Sequence, residues 1–236
     1  MVQVCPAGSG SRRLGASPIG RGVAASAAVA VALFCAQATQ ADIYSGVGGV
    51  FSDSAGEGSP GVVSFLVTIE DVGSVDTFNS LSLLGLNHTF LGDLGATITA
   101  PDGTVVTLFE RIGKTSPDSG FGDSSNFFGN YVFADGGANI WTAAASVPGS
   151  GVVAPGTYSA SAALTGAAIN LQSAFAGKSI FGTWTLTISD YAAGEVGLIT
   201  GWNINMNVVP GPSALAFGAI GLAGRAFGRT RSRRAR

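Results

Sequence analysis

The chain has 236 residues, of which 11% are charged and 36 are glycine, with a mean hydropathy of +0.40; that is enough for one domain with a real core. All fourteen Asp and Glu lie between Asp42 and Glu195, where Arg111, Lys114 and Lys178 are the only bases, so this middle carries a net charge of −11. An acidic body argues against nucleic acid or anionic surfaces as partners and makes cation binding worth considering. Helix formers are sparse and β-branched residues with Gly-containing turns are common, which favours an all-β class.

Residues 1–41 read as an export signal. Arg12, Arg13 and Arg21 precede an apolar run from Val23 to Ala36, the length of a signal h-region and short for a membrane span. Small residues offer cleavage after Ala38 or after Ala41, and Ala41 is preferred. Both cysteines, Cys5 and Cys35, fall inside this segment, so the exported form would use neither disulfides nor thiol chemistry. Residues 42–61 are Gly/Ser-rich and weakly periodic, which reads as a linker or a loosely held edge.

Regular structure is expected from Val62, where Val63, Phe65, Val67 and Ile69 alternate with Ser64 and Thr68. A second strand is expected over Thr77–Leu84. Ala96–Ala100 and Val105–Leu108 flank Pro101-Asp102-Gly103-Thr104, a β-turn sequence. Arg111–Asn130 reads as a long polar loop. The final predicted pair is the clearest: Trp184, Leu186 and Ile188 alternate with Thr183, Thr185 and Thr187, and Trp202, Ile204, Met206 and Val208 alternate with Asn203, Asn205 and Asn207. A period of two puts each set on one face. The glycines between them suggest an antiparallel hairpin.

Two segments resemble the P domain (P/Homo B domain), the β-sandwich that follows the catalytic domain in kexin- and furin-like subtilases. One is His88-Thr89-Phe90-Leu91-Gly92-Asp93-Leu94 with Pro101-Asp102-Gly103-Thr104; the other is Gly182, Trp184, Leu186 and Asp190, followed by Gly197, Ile199 and Trp202. Tyr131–Ala138, Val153–Tyr158 and Leu171–Lys178 resemble intervening family segments. The resemblance covers about Val62 to Val208. It implies an antiparallel, jelly-roll-like β-sandwich over residues 62–209. P domains often carry Ca²⁺, for which Asp93, Asp102, Asp135 and Asp190 are the candidate ligands, although each also suits a turn cap.

Residues 210–236 follow a different pattern. Val209-Pro210-Gly211-Pro212-Ser213, an apolar run from Ala214 and six Arg within the last twelve residues resemble the PEP-CTERM sorting tail. Gly211 stands where that family has Glu. The apolar span, as a helix of about 22 Å, would be held by the Arg cluster at the cytoplasmic face. The resemblance implies an N-terminal signal helix, a C-terminal sorting helix, and the export machinery and an exosortase-like transpeptidase as partners. It also implies transient membrane anchoring and a final place at the cell envelope, cell surface or outside the cell.

No catalytic residue is assigned. His88 is the only histidine, and a Ser-His-Asp triad needs a base aimed at a nucleophile. The functional expectation is an exported, surface-sorted, non-catalytic module for adhesion, matrix or partner binding, with extracellular polysaccharide or a protein as ligand. The Thr and Asn rows are its candidate sugar-facing groups. The alternative expectation is an accessory domain to a subtilisin- or kexin-like serine endopeptidase.

Overall fold

The computed structural model describes residues 40–211 apart from Glu57 and Ser119. The signal helix and the sorting helix expected at the two ends lie outside the described residues.

Two sheets form an antiparallel sandwich. One is ordered β1-β11-β3-β6-β7 and the other β2-β10-β4-β5, where β1 is Gln40–Val50, β2 Gly61–Ile69, β3 Gly73–His88, β4 Leu94–Thr99, β5 Val105–Glu110, β6 Phe127–Ala138, β7 Gly156–Tyr158, β10 Gly182–Asp190 and β11 Leu198–Pro210. The strands β8 (Ala160–Ser161) and β9 (Ala168–Ile169) make a separate short ladder. Apart from the β4–β5 hairpin, the eight long strands alternate between the sheets along the chain. The facing orders 1-11-3-6 and 2-10-4-5 are those of a jelly roll. The exception to antiparallel pairing is the short parallel contact of β7 on β6. Two short helices, α1 (Ile140–Ala145) and α2 (Leu171–Phe175), are N-capped by Asn139 and Asn170.

The apolar faces read from the sequence form the core. Phe65, Ile98, Trp184, Leu186, Trp202 and Ile204 are all buried. Trp184 packs its ring on Phe78 and Phe175 and donates its indole N–H to the Ile180 carbonyl at 3.1 Å. Phe109, Phe127, Phe133 and Tyr131 form a second aromatic group. There the Tyr131 hydroxyl donates to the Val153 carbonyl at 2.6 Å, meeting the need of a buried polar group for a partner.

Four expectations are corrected. The segment read as a linker from residue 42 is mostly strand: β1 runs from Gln40 to Val50 along the edge of the larger sheet, paired to β11 from Gln40–Val208 to Val50–Leu198. Its period of two is hidden because, among the positions that turn inward, Gly46 and Gly48 are glycines and Tyr44 is the one large apolar residue. A Cβ on Gly46 would stand inside the Trp202 indole, so the small residue makes room for the large one. β3 is twice the expected length. Register shifts against β11 and β6 change which alternate residues face inward, and such bulges erase a period of two. The polar loop from Arg111 ends early, at Phe127, where β6 begins.

The last correction concerns the final strands. β10 pairs with β2 and β4, whereas β11 pairs with β1 and β3, so Tyr191–Gly197 is an arch between sheets and not a hairpin turn. Alternation fixes which residues face inward but not which sheet each strand joins. Two strands with Trp-bearing inner faces satisfy that pattern equally well when they oppose each other across the core.

Candidate functional site

One end of the sandwich gathers most of the ionisable chemistry, because β3 ends there at His88, β4 begins at Leu94 and β10 ends at Asp190. His88 is 0% exposed and Asp190 1%, and His88 Nε2 lies 3.3 Å from Asp190 Oδ2. The other Asp190 oxygen, Oδ1, accepts from the Ala192 backbone N–H at 3.2 Å. Gly197 closes this pair from the arch, since a Cβ there would stand 2.6 Å from both His88 Cδ2 and Phe51. Burial raises the Asp190 carboxyl above its ordinary range, while the Ala192 N–H and His88 work in the opposite direction.

Asp93 sits in the single 3₁₀ turn Leu91–Asp93 just before β4, 4% exposed, with Oδ1 lacking a hydrogen-bond partner. Burial, then the neighbouring Asp190 carboxylate, push it up to about 6, against the opposing pull of Arg111. A carboxyl with a folded value above its unfolded one holds its proton more tightly when folded. Its contribution therefore favours the fold at low pH, declines as pH rises from about 4 to about 6, and is flat above. Asp93→Asn should accordingly raise stability by about 2 kcal/mol at pH 8 and show no gain at pH 4. Thermal melts of both proteins across that range check it, and an equal shift at both pH values would assign the effect to packing.

The four aspartates named as calcium ligands are dispersed. Asp93 and Asp190 are neighbours. Asp102 lies past the far end of β4, six residues or about 20 Å away along a strand. There it accepts from Thr104 N–H at 3.0 Å and from Lys178 Nζ at 2.6 Å. The Lys178 bond, then the Thr104 N–H, lower its pKa to about 2. Asp135 on β6 accepts from the Leu171 and Gln172 N–H groups at the start of α2, at 2.8 and 2.9 Å, satisfying donors a helix start leaves open. Among the described residues no three His, Cys, Asp or Glu are grouped to hold a metal ion. The donor set does not fit one Ca²⁺ site.

Next to the buried pair a cleft of about 240 Å³ opens between Glu110, Arg111, Lys114, Pro117, Ala163, Leu164 and Tyr191. Arg111 follows β5 with φ of 43° and Leu164 has φ of 63°, two of the three non-glycine residues in the left-handed region among the described residues. Such strain persists only where surroundings enforce it. The Arg111 guanidinium lies 5.2 Å from the centre of the Tyr191 ring and its Nε donates to the Gly92 carbonyl at 3.1 Å. The Tyr191 hydroxyl lies 3.2 Å from Glu110 Oε1, and burial, then that carboxylate, raise its pKa. Sequence reading placed Arg111 in a polar loop and did not connect it to this cleft. The usable signal was that the body has only three bases and two of them lie three residues apart.

The rows of Thr and Asn occupy opposite outer faces. On β10, Thr187 pairs in register with Ser64 of β2 and Thr97 of β4, and Thr97 pairs with Thr107 of β5, so one hydroxyl from each strand lines up across the sheet. The Ser64–Thr187 and Thr68–Thr183 hydroxyls are each 3.1 Å apart. On the other sheet Asn79 Nδ2 donates to Asn205 Oδ1 at 3.1 Å and to Asn207 Oδ1 at 2.9 Å, which ties up the side-chain oxygens of two of the three Asn in the row.

Of the sorting motif, Val209 and Pro210 end β11 opposite Ser74 and Gly73, and Gly211 N–H donates to the Val72 carbonyl at 2.8 Å. Pro212 and Ser213 lie outside the described residues.

No family model matches the chain, and no curated protein does. Among solved structures it is similar to the serine protease of Aeromonas sobria, at 13% identity and a TM-score of 0.34 over 71% of this chain and 27% of that one. It is also similar to a chain in the complex of that protease with a chaperone, at 12% identity and a TM-score of 0.35 over 72% of this chain and 28% of that one. The chain thus spans little more than a quarter of the length of the structures it matches.

Proposed function

We propose that the sandwich is a non-catalytic binding module of an exported, envelope-associated protein, and that its ligand is a neutral, hydroxyl-rich polymer such as an extracellular polysaccharide. The observation that carries this reading is the outer face of the β2-β10-β4-β5 sheet. In a body with a net charge of −11, that face presents Ser64, Thr68, Thr97, Thr99, Thr107, Thr183, Thr185 and Thr187 interleaved with exposed Val62, Leu66 and Val105, with no charged side chain before Glu110 at its end. Hydroxyl rows spaced by the strand separation of about 4.8 Å match sugar hydroxyls without the desolvation cost of a charge. The one histidine supports a non-catalytic role, because a fully buried imidazole held on Asp190 is not aimed at a substrate.

Export by the N-terminal signal and processing of the C-terminal tail belong to the same proposal. β1 begins at Gln40, which favours signal cleavage after Ala38 over the expected Ala41, since the latter would strip two paired residues from the edge strand. Tail processing near Gly211 would require the last pairs of β11 to fray. The test is retention of the purified full-length protein on a panel of insoluble neutral polysaccharides. Retention on at least one is expected, lost in the double variant Thr97→Glu/Thr187→Glu, with no cleavage of a peptide library. Equal retention by a folded double variant, or turnover abolished by His88→Ala, would overturn it.

A further inference from the structure

We propose that the cleft between Arg111, Lys114 and Tyr191 is a carboxylate-binding site that takes a single uronic acid residue. The charge distribution comes first. Of the three bases in a body with fourteen acids, Lys178 is neutralised by Asp102 at 2.6 Å, and the other two line this one cleft. Among the described residues neither Arg111 nor Lys114 has a carboxylate within ion-pair distance. Lys114 is only 9% exposed and lines the cleft; among the described residues its side chain has no hydrogen-bond partner, so a buried stem carries an ammonium to the cleft wall. Taking a lysine this far out of water is unfavourable unless an anion meets it. Arg111 is held in place by Gly92 and the Tyr191 ring, and its Nε bond leaves the forked terminal nitrogens for a bidentate acceptor.

The rest of the lining sets the class of anion. Arg111, Lys114 and Glu110 sum to one positive charge, which matches a monoanionic carboxylate better than a dianionic phosphate ester. Glu110 supplies an acceptor for a ligand hydroxyl. A cleft of about 240 Å³ is smaller than the roughly 300–1,000 Å³ sites of drug-sized ligands and fits one sugar ring. Glu110 pairs with Gly95 at the end of the hydroxyl-bearing face, so the cleft continues that face. This continuity favours a sugar acid over a peptide carboxylate and deepens the proposed polysaccharide reading. The polymer is then expected to be neutral along the sheet face, with a uronate residue only where it enters the cleft.

Titration of the full-length protein with free glucuronate and galacturonate, followed by NMR or calorimetry, tests the cleft without the polymer face. Saturable binding of at least one uronate is expected, at least tenfold tighter than glucose or acetate and weakened by salt. Lys114→Met, which keeps the stem and removes the charge, should weaken it about tenfold or more, as loss of a charged hydrogen bond does. Ala163→Glu, which adds a like charge at the rim, should do the same and decides the matter if Lys114→Met does not fold. Binding of glucose as tight as uronate, binding of acetate as tight as uronate, or folded variants that bind uronate like the parent would each overturn the proposal. Uronate binding that survives in Thr97→Glu/Thr187→Glu separates this site from the sheet face.

Discussion

Trp202→Ala is expected to lower stability by about 3–5 kcal/mol, the range for emptying a fully buried aromatic site. For a domain of this size that corresponds to a fall in melting temperature of about 10 °C or more. Trp202 is 0% exposed and lies on β11, the strand held between β1 and β3. Its indole occupies the space that Gly46 leaves on β1, so the cavity would form where the edge strand closes on the core. The same space can be attacked from the other side. Gly46→Ala pushes a methyl group into the indole and should cost about 1–3 kcal/mol by overpacking. Combining Gly46→Ala with Trp202→Phe should cost less than the two single changes added together, because the smaller ring leaves room for the methyl. Additive costs in that cycle, measured by denaturant unfolding, would show that the two positions do not share a space. Trp141 on α1 is a control: it is half-buried, and Trp141→Ala should cost clearly less than Trp202→Ala.

The legible parts of the fold are those where one strand keeps one period. β2, β10 and the Trp202–Val208 part of β11 show unbroken alternation, and their inner faces were correct residue by residue. β1 was unreadable because Gly46 and Gly48 hold two of its inward positions and leave Tyr44 as the one large apolar signal, although Gly46 packs against Trp202. β3 was only half readable because its bulges shift the inward positions, so Val75, Phe78, Leu81, Leu83, Leu86 and His88 all face the core without a common parity. The arch after Asp190 shows a different limit. Periodicity is a property of one strand, and pairing is a property of two. The candidate site failed for the same reason: Asp190 was read as a calcium ligand or turn cap and His88 was given no partner, yet the fold brings these residues, 102 positions apart, within 3.3 Å. The spacing of Arg111 and Lys114 was visible, but Tyr191 and Leu164, which turn it into a cleft, come from distant connections.

Removing one member of the buried pair should be the second most damaging change. In Asp190→Ala the His88 ring would stay buried with neither nitrogen satisfied, since Nδ1 already lacks a partner. An unsatisfied buried polar group costs about 1–3 kcal/mol, and an uncompensated buried charge about 3–5. A loss of about 3 kcal/mol is expected. Asp190→Asn keeps a group able to bond a neutral imidazole and should cost about 1 kcal/mol. The pH dependence separates the two contributions. Because burial raises the Asp190 carboxyl above its ordinary range, the ionised form is the disfavoured one, and its penalty grows as pH rises through the folded value. Asp190→Asn removes that penalty, so its cost should be largest in acid and shrink towards neutral pH. Asp190→Ala removes the same titrating carboxyl, so its cost should shrink with pH in parallel with that of Asp190→Asn, from a value higher by the lost hydrogen bond to His88. Denaturant melts at several pH values read this directly. Costs that stay constant with pH in both variants would mean that the carboxylate charge plays no part, and that Asp190 serves His88 and the Ala192 N–H only as a hydrogen-bond acceptor.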